Sequence, residues 1–104
     1  MTSTEQTWRY RITGDGPRQA VHLAGEFDML AADAMEDLLV AAAGDGPLVV
    51  DLGAVTFIDS CGIRALIAAH HAARDAGHPY SLANATGQPR RVLAMAGVLD
   101  LGSI

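Results

Sequence analysis

The chain has 104 residues, half of them apolar and 18% charged, with a net charge of −5. That is the length and composition of one folded domain, too short for a second core and too apolar for a disordered tail. The negative balance argues against a nucleic-acid binder and against docking on anionic membranes. A single cysteine, Cys61, excludes a disulfide framework and any multi-thiolate metal site, and fits a reducing compartment. The N-terminus lacks a signal-peptide pattern and no run of apolar residues is long enough to span a bilayer, so a cytoplasmic location is expected.

Trp8-Arg9-Tyr10-Arg11-Ile12 alternates with period two and reads as an edge strand, half-buried through Trp8, Tyr10 and Ile12. Gly14–Gln19 carries turn chemistry, and Ala20–Gly25 is a second strand joined to the first by a hairpin. Ala31, Ala34, Met35, Leu38, Leu39 and Ala42 form one apolar stripe of a helix that Asp28 caps and Gly44 ends.

Pro47–Leu52 reads as a central strand buried on both faces, followed by a separate short apolar stretch, Val55–Ile58. A second helix runs from about Ser60 to Ala76, with Ile63, Leu66, Ile67 and His70 inward and Gly77-His78-Pro79 as its stop. Tyr80–Ala83 is a fourth strand. Val92, Met95, Ala96 and Leu99 then mark a third amphipathic helix, with Pro89 in its first turn. The order β-β-α-β-α-β-α predicts an α/β domain with a mixed sheet of four to five strands and helices packed against it.

The chemistry gathers at Asp59-Ser60-Cys61-Gly62, where small polar residues end an apolar strand at the C-terminal edge of the sheet. One reading is capping: Asp59 or Ser60 accepts a first-turn amide, worth about 1 kcal/mol. The other is modification, since a helix N-terminus tolerates a phosphate. The residues alone leave both open. A hydrolase elbow would need glycine two residues before the serine, and Ile58 stands there. His70 is assigned to packing and His71 and His78 to the surface, without metal-ligand spacing. Asp28 follows the second strand as Asp59 follows the third, so the two aspartates are expected to flank Ser60 at one edge. Arg64 lies one helical turn beyond Ser60 and Arg90-Arg91 is too small a patch to imply nucleic acid.

These segments resemble a STAS domain, and within that group the stand-alone bacterial anti-sigma factor antagonists. The matching pieces are V-H-L-A-G-E-F-D (21–28), V-V-D-L-G-A-V-T-F-I-D-S-C-G-I (49–63), A-G-H-P-Y-S-L-A-N (76–84) and V-L-A-M-A-G-V-L-D-L (92–101). The likeness covers residues 8–104, and D-S-x-G after an apolar strand is its specific part. The resemblance implies one STAS domain over 1–104 that is not an enzyme and needs no cofactor or metal. It implies a partner switch: the unphosphorylated form binds an anti-sigma factor that is also a serine kinase, releasing a sigma factor for transcription in a stress response. Phosphorylation at Ser60 reverses this, and a PP2C-type, metal-dependent phosphatase resets it. Asp28, Asp59, Ser60, Cys61, Gly62 and Arg64 would form the partner-binding surface of a monomer or weak dimer. Two residues depart from the family pattern: Cys61 stands where a second hydroxyl residue is usual, and Arg64 where glycine is common. The rival expectation is a STAS scaffold or ligand-sensing module that binds a nucleotide or other small anion at the same helix N-terminus without being modified.

Overall fold

The computed structural model describes residues 8–14 and 19–99. Strands β1 (Trp8–Thr13), β2 (Gln19–Phe27), β3 (Leu48–Ile58) and β4 (Tyr80–Ala83) form one sheet in the order β1-β2-β3-β4. The first pair is antiparallel and the other two are parallel. Helices α1 (Met29–Asp45) and α2 (Ser60–Ala76) provide the crossovers, and α3 (Gly87–Met95) closes the described chain. The expected order and mixed sheet are both present, with four strands. The turn between β1 and β2 lies mostly outside the described residues.

The core lies between one face of the sheet and the helices. Val21, Leu23, Leu48, Val50 and Leu52 meet Met35 and Leu39 of α1 and Leu66 and Ala69 of α2 in one cluster. Tyr80 closes it from β4: its buried hydroxyl donates to the Leu66 carbonyl at 2.8 Å, and burial raises its pKa.

Several sequence expectations are corrected. The central strand is buried on one face only: Val49 is exposed and Asp51 half-buried between fully buried neighbours, because α1 and α2 pack on the same side. Val55–Ile58 is no separate stretch but the continuation of β3, and β2 runs two residues further, to Phe27. On β1 only Trp8 is half-buried; Tyr10 and Ile12 are 49% and 46% exposed at the sheet's edge. Helix α1 passes Gly44 and ends at Gly46, whose carbonyl and that of Ala42 accept from the Gln19 amide. In α3 the fully buried residues are Pro89 and Leu93; of the expected stripe Val92 and Leu99 pack half-buried against the core, whereas Ala96 is exposed and Met95 is 86% exposed.

The open face carries a polar chain across three strands. The His22 Nδ1–H donates to Asp51 Oδ2 at 3.1 Å, and Thr13 Oγ1 lies 3.0 Å from His22 Nε2. Asp51 Oδ1 also accepts from the Gly53 amide at 2.8 Å. That amide bond, with the Asn84 side chain and His22, outweighs burial and holds the Asp51 carboxyl below its usual 3.8. Gly53 is the residue that leaves room for this carboxylate, since a Cβ there would come within 3.1 Å of Asp51 Oδ1.

The register of α3 predicts a sharp contrast. Leu93→Ala should cost about 2–5 kcal/mol in denaturant unfolding, and Met95→Ala less than about 0.5 kcal/mol. The lowered Asp51 pKa means that the folded chain binds fewer protons in acid than the unfolded chain. Its contribution to stability is therefore complete above the usual 3.8 and lost as pH falls through the folded-state value. Unfolding curves of Asp51→Asn should show a shallower acid-side slope than those of the unaltered chain.

Candidate functional site

Strands β2 and β3 run in parallel and end level. Phe27 pairs with Ile58, and the Asp59 amide donates to the Phe27 carbonyl at 3.2 Å. The next residues, Asp28 and Asp59, both adopt extended backbone and both cap a helix. Asp28 Oδ1 accepts from the Leu30 amide at 3.0 Å; Asp59 Oδ1 accepts from Cys61 at 2.9 Å and Gly62 at 3.2 Å. The two aspartates thus stand at one edge, as expected.

Capping and exposure are divided between adjacent residues. Asp59 is the N-cap of α2, while Ser60 is its first helical residue and is exposed. The serine hydroxyl is therefore not the cap. Asp59 also occupies the first-turn amides of Cys61 and Gly62, the groups that would otherwise hold an anion. Cys61 is half-buried, and Arg64 is exposed one turn beyond Ser60.

Gly62 is buried for a steric reason. A Cβ at this position would lie 2.6 Å from Ile58 Cγ1 and 2.8 Å from the Phe27 carbonyl oxygen. The first turn of α2 sits directly on the ends of β2 and β3, and only glycine permits that approach. Beyond the reach of β4, the Gln88 side chain completes the end of β3. Its Oε1 accepts from the Ile58 amide at 3.0 Å and its Nε2 donates to the Ile58 carbonyl at 2.9 Å. This clamp joins α3 to the same edge.

Sequence reasoning missed two features here. The Gln88 clamp has no sequence signal, because its partner is a backbone group thirty residues away. Met29 and Leu30, 71% and 87% exposed, follow the Asp28 cap and leave an apolar surface beside the acidic edge. Their signal was legible: the inward stripe of α1 begins only at Ala31. Among the described residues, no cluster of three or more His, Cys, Asp or Glu residues has metal-binding geometry. No helix among them is long and apolar enough to cross a membrane.

A parallel β2–β3 pair whose C-terminal ends present paired acidic caps and an exposed serine, flanked by an antiparallel edge strand, defines a small α/β domain of the STAS type. The family model for the "Mlab, STAS domain" matches residues 10–103, and the chain belongs to the STAS domain family. No curated protein sequence matches it. The solved structure of the anti-sigma factor antagonist SpoIIAA in its unphosphorylated form aligns with a TM-score of 0.78 and 15% identity, over 89% of this chain and 84% of that one. An anti-sigma factor antagonist from Mycobacterium paratuberculosis aligns with a TM-score of 0.78 and 28% identity, over 95% and 85% of the two chains. SpoIIAA of Bacillus in its phosphorylated form gives 0.70 and 16%, over 89% and 87%.

The packing at Gly62 makes a direct prediction. Gly62→Ala should lose about 1–3 kcal/mol by overpacking, and Asp59→Ala about 0.5–2 kcal/mol by loss of the cap. Chemical denaturation of both variants, with Cys61→Ala as a nearby control, checks the order.

Proposed function

We propose that this protein is an anti-sigma factor antagonist in a partner-switching system, turned off by phosphorylation of Ser60. The observation that carries the reading is the exposed Ser60 with Asp59 acting as cap beside it. Because the cap is a different residue, modifying the serine leaves the helix start intact. The similarity to structures of antagonists, among them SpoIIAA in both phosphorylation states, supports the same role.

The edge around Ser60 suits a protein partner. Met29 and Leu30 offer apolar area, and Asp28 and Asp59 frame it with negative charge. Acidic oxygens repel phosphate, so a nucleotide used in the reaction belongs to the partner kinase, an anti-sigma factor that also binds ATP. The covalent step transfers the terminal phosphoryl group of ATP to Ser60 Oγ. The serine proton is released, ADP leaves, and a phosphate ester remains.

A phosphate adds about −1.5 to −2 charges. With the Cys61 and Gly62 amides already engaged by Asp59, this charge meets the two aspartates and the partner surface with fewer helix amides to offset it. Arg64, one turn along the same helix, is the nearest candidate counter-charge by sequence spacing. Hydrolysis of the ester by a PP2C-type phosphatase would restore the binding form. Cys61, in place of a second hydroxyl residue, leaves Ser60 as the acceptor of this turn.

Incubation with the anti-sigma kinase of the same genome and ATP should add one phosphate by intact mass, and Ser60→Ala should abolish it. Persistent labelling of that variant would move the site elsewhere. Ser60→Asp should weaken anti-sigma binding by about 100-fold, or 2.7 kcal/mol. Unchanged affinity would remove the charge mechanism. Failure of every anti-sigma kinase to bind or modify the unaltered chain would favour the scaffold reading.

A further inference from the structure

The sheet face that α1 and α2 leave open has its own constellation. Arg9 and Arg11 project from β1 on that face, where the pairing sets them opposite Ala24 and His22. His22 and Ala24 in turn lie opposite Asp51 and Ala54 of β3. Arg9, Arg11, His22, Ala24 and Ala54 line an open-sided cavity of about 520 Å³, completed by Tyr10 and Leu23.

Three properties of this cavity point to a ligand. First, its charge runs against that of the molecule. The chain carries net −5, yet two arginines stand two residues apart on one strand face. Among the described residues the ion pair is His22 with Asp51, and neither arginine takes part in it. Both arginines are exposed on one strand face, and an anion between them suits their forked donors.

Second, the His22 ring is fixed before any ligand arrives. Asp51 holds Nδ1, Thr13 meets Nε2, and Asp51 is itself held by the Gly53 amide. Third, the cavity between the arginines and β3 exists because its floor is small. The pairing shifts by one residue between His22 and Ala24, so that Leu52-Gly53 in β3 oppose Leu23 alone. This bulge brings Ala54 onto the same face as Asp51, beside Ala24. Bulges of this kind re-aim side chains next to binding sites. The volume falls within the range of small-molecule pockets and exceeds what a bare ion needs.

We propose that the open face binds a small anionic molecule, with a phosphate or carboxylate between Arg9 and Arg11 and its apolar body on Ala24 and Ala54. The site shares no residue with the Asp28–Ser60 edge, so it stands or falls independently of the antagonist reading.

The test is an NMR titration of the full 15N-labelled chain at constant ionic strength. AMP serves as the phosphate probe and octanoate as the carboxylate probe. At least one should shift the amides of residues 9–11, 22–24 and 54, saturating with a dissociation constant below about 1 mM. The double variant Arg9→Ala/Arg11→Ala should weaken binding by about tenfold or more, equivalent to about 1.4 kcal/mol. Ala54→Leu, which keeps both arginines and fills the floor, should also weaken it, whereas Ser60→Asp should not. Absence of saturable shifts with both probes would overturn the site. So would shifts reproduced by sodium chloride, or shifts confined to Asp28 and residues 59–62.

Discussion

The structure depends on β2 and β3 ending level. β3 has eleven residues against nine in β2, and two irregularities in the pairing absorb the difference before Phe27 meets Ile58. Without them the two strands would end out of step, and the two aspartates that start α1 and α2 would no longer be neighbours. Gly62 makes the second half of this arrangement physical. It lets α2 begin in contact with the Phe27 carbonyl and Ile58, so Ser60, two residues before it, stands at the rim of the sheet. Gln88 then closes the backbone of Ile58 where β4 is too short to do so.

The shortness of β4 and the placement of both long helices on one side have a second consequence. A parallel sheet usually hides both faces, but here alternate residues of β2 and β3 remain open to solvent. Those positions hold Ala20, His22, Ala24, Val49, Asp51 and Ala54, a mixture of small and polar side chains. The polar members are paired with each other across the strands. Both proposed surfaces are therefore built from the same two strands: one at their ends, the other on their uncovered face.

Much of this was legible in the sequence. α2 and β4 begin and end where the sequence reading puts them, because Asp59, Gly77 and Pro79 are strong local punctuation. The acidic edge followed from the rule that parallel strands share a C-terminal side. The errors have physical causes. A run such as Leu-Val-Val-Asp-Leu looks the same whether one face or both are covered, so the exposure of Val49 and Asp51 depended on where the helices pack. The stripe of α3 was only half right, with Val92 and Leu99 packed but Met95 exposed and Leu93 unforeseen, because a nine-residue helix offers too few turns to fix its phase. The pairing of His22 with Asp51 joins residues far apart in the chain through register, and a bulge two residues later hides even that from counting.

The division of labour at the Asp59-Ser60 pair assigns the capping role of this turn to Asp59 and leaves Ser60 exposed beside it. Had Ser60 been the cap, a phosphate on it would have had to replace the capping bond, and switching would have moved the helix start. With Asp59 holding two first-turn amides, the helix start does not rest on the serine hydroxyl. The same arrangement denies an incoming phosphate the amides that would stabilise it in place. In the proposed switch its charge would be expressed outward, against Asp28, Asp59 and a partner seated on Met29 and Leu30. A switch needs this combination: a modification that the protein itself tolerates and only the complex does not.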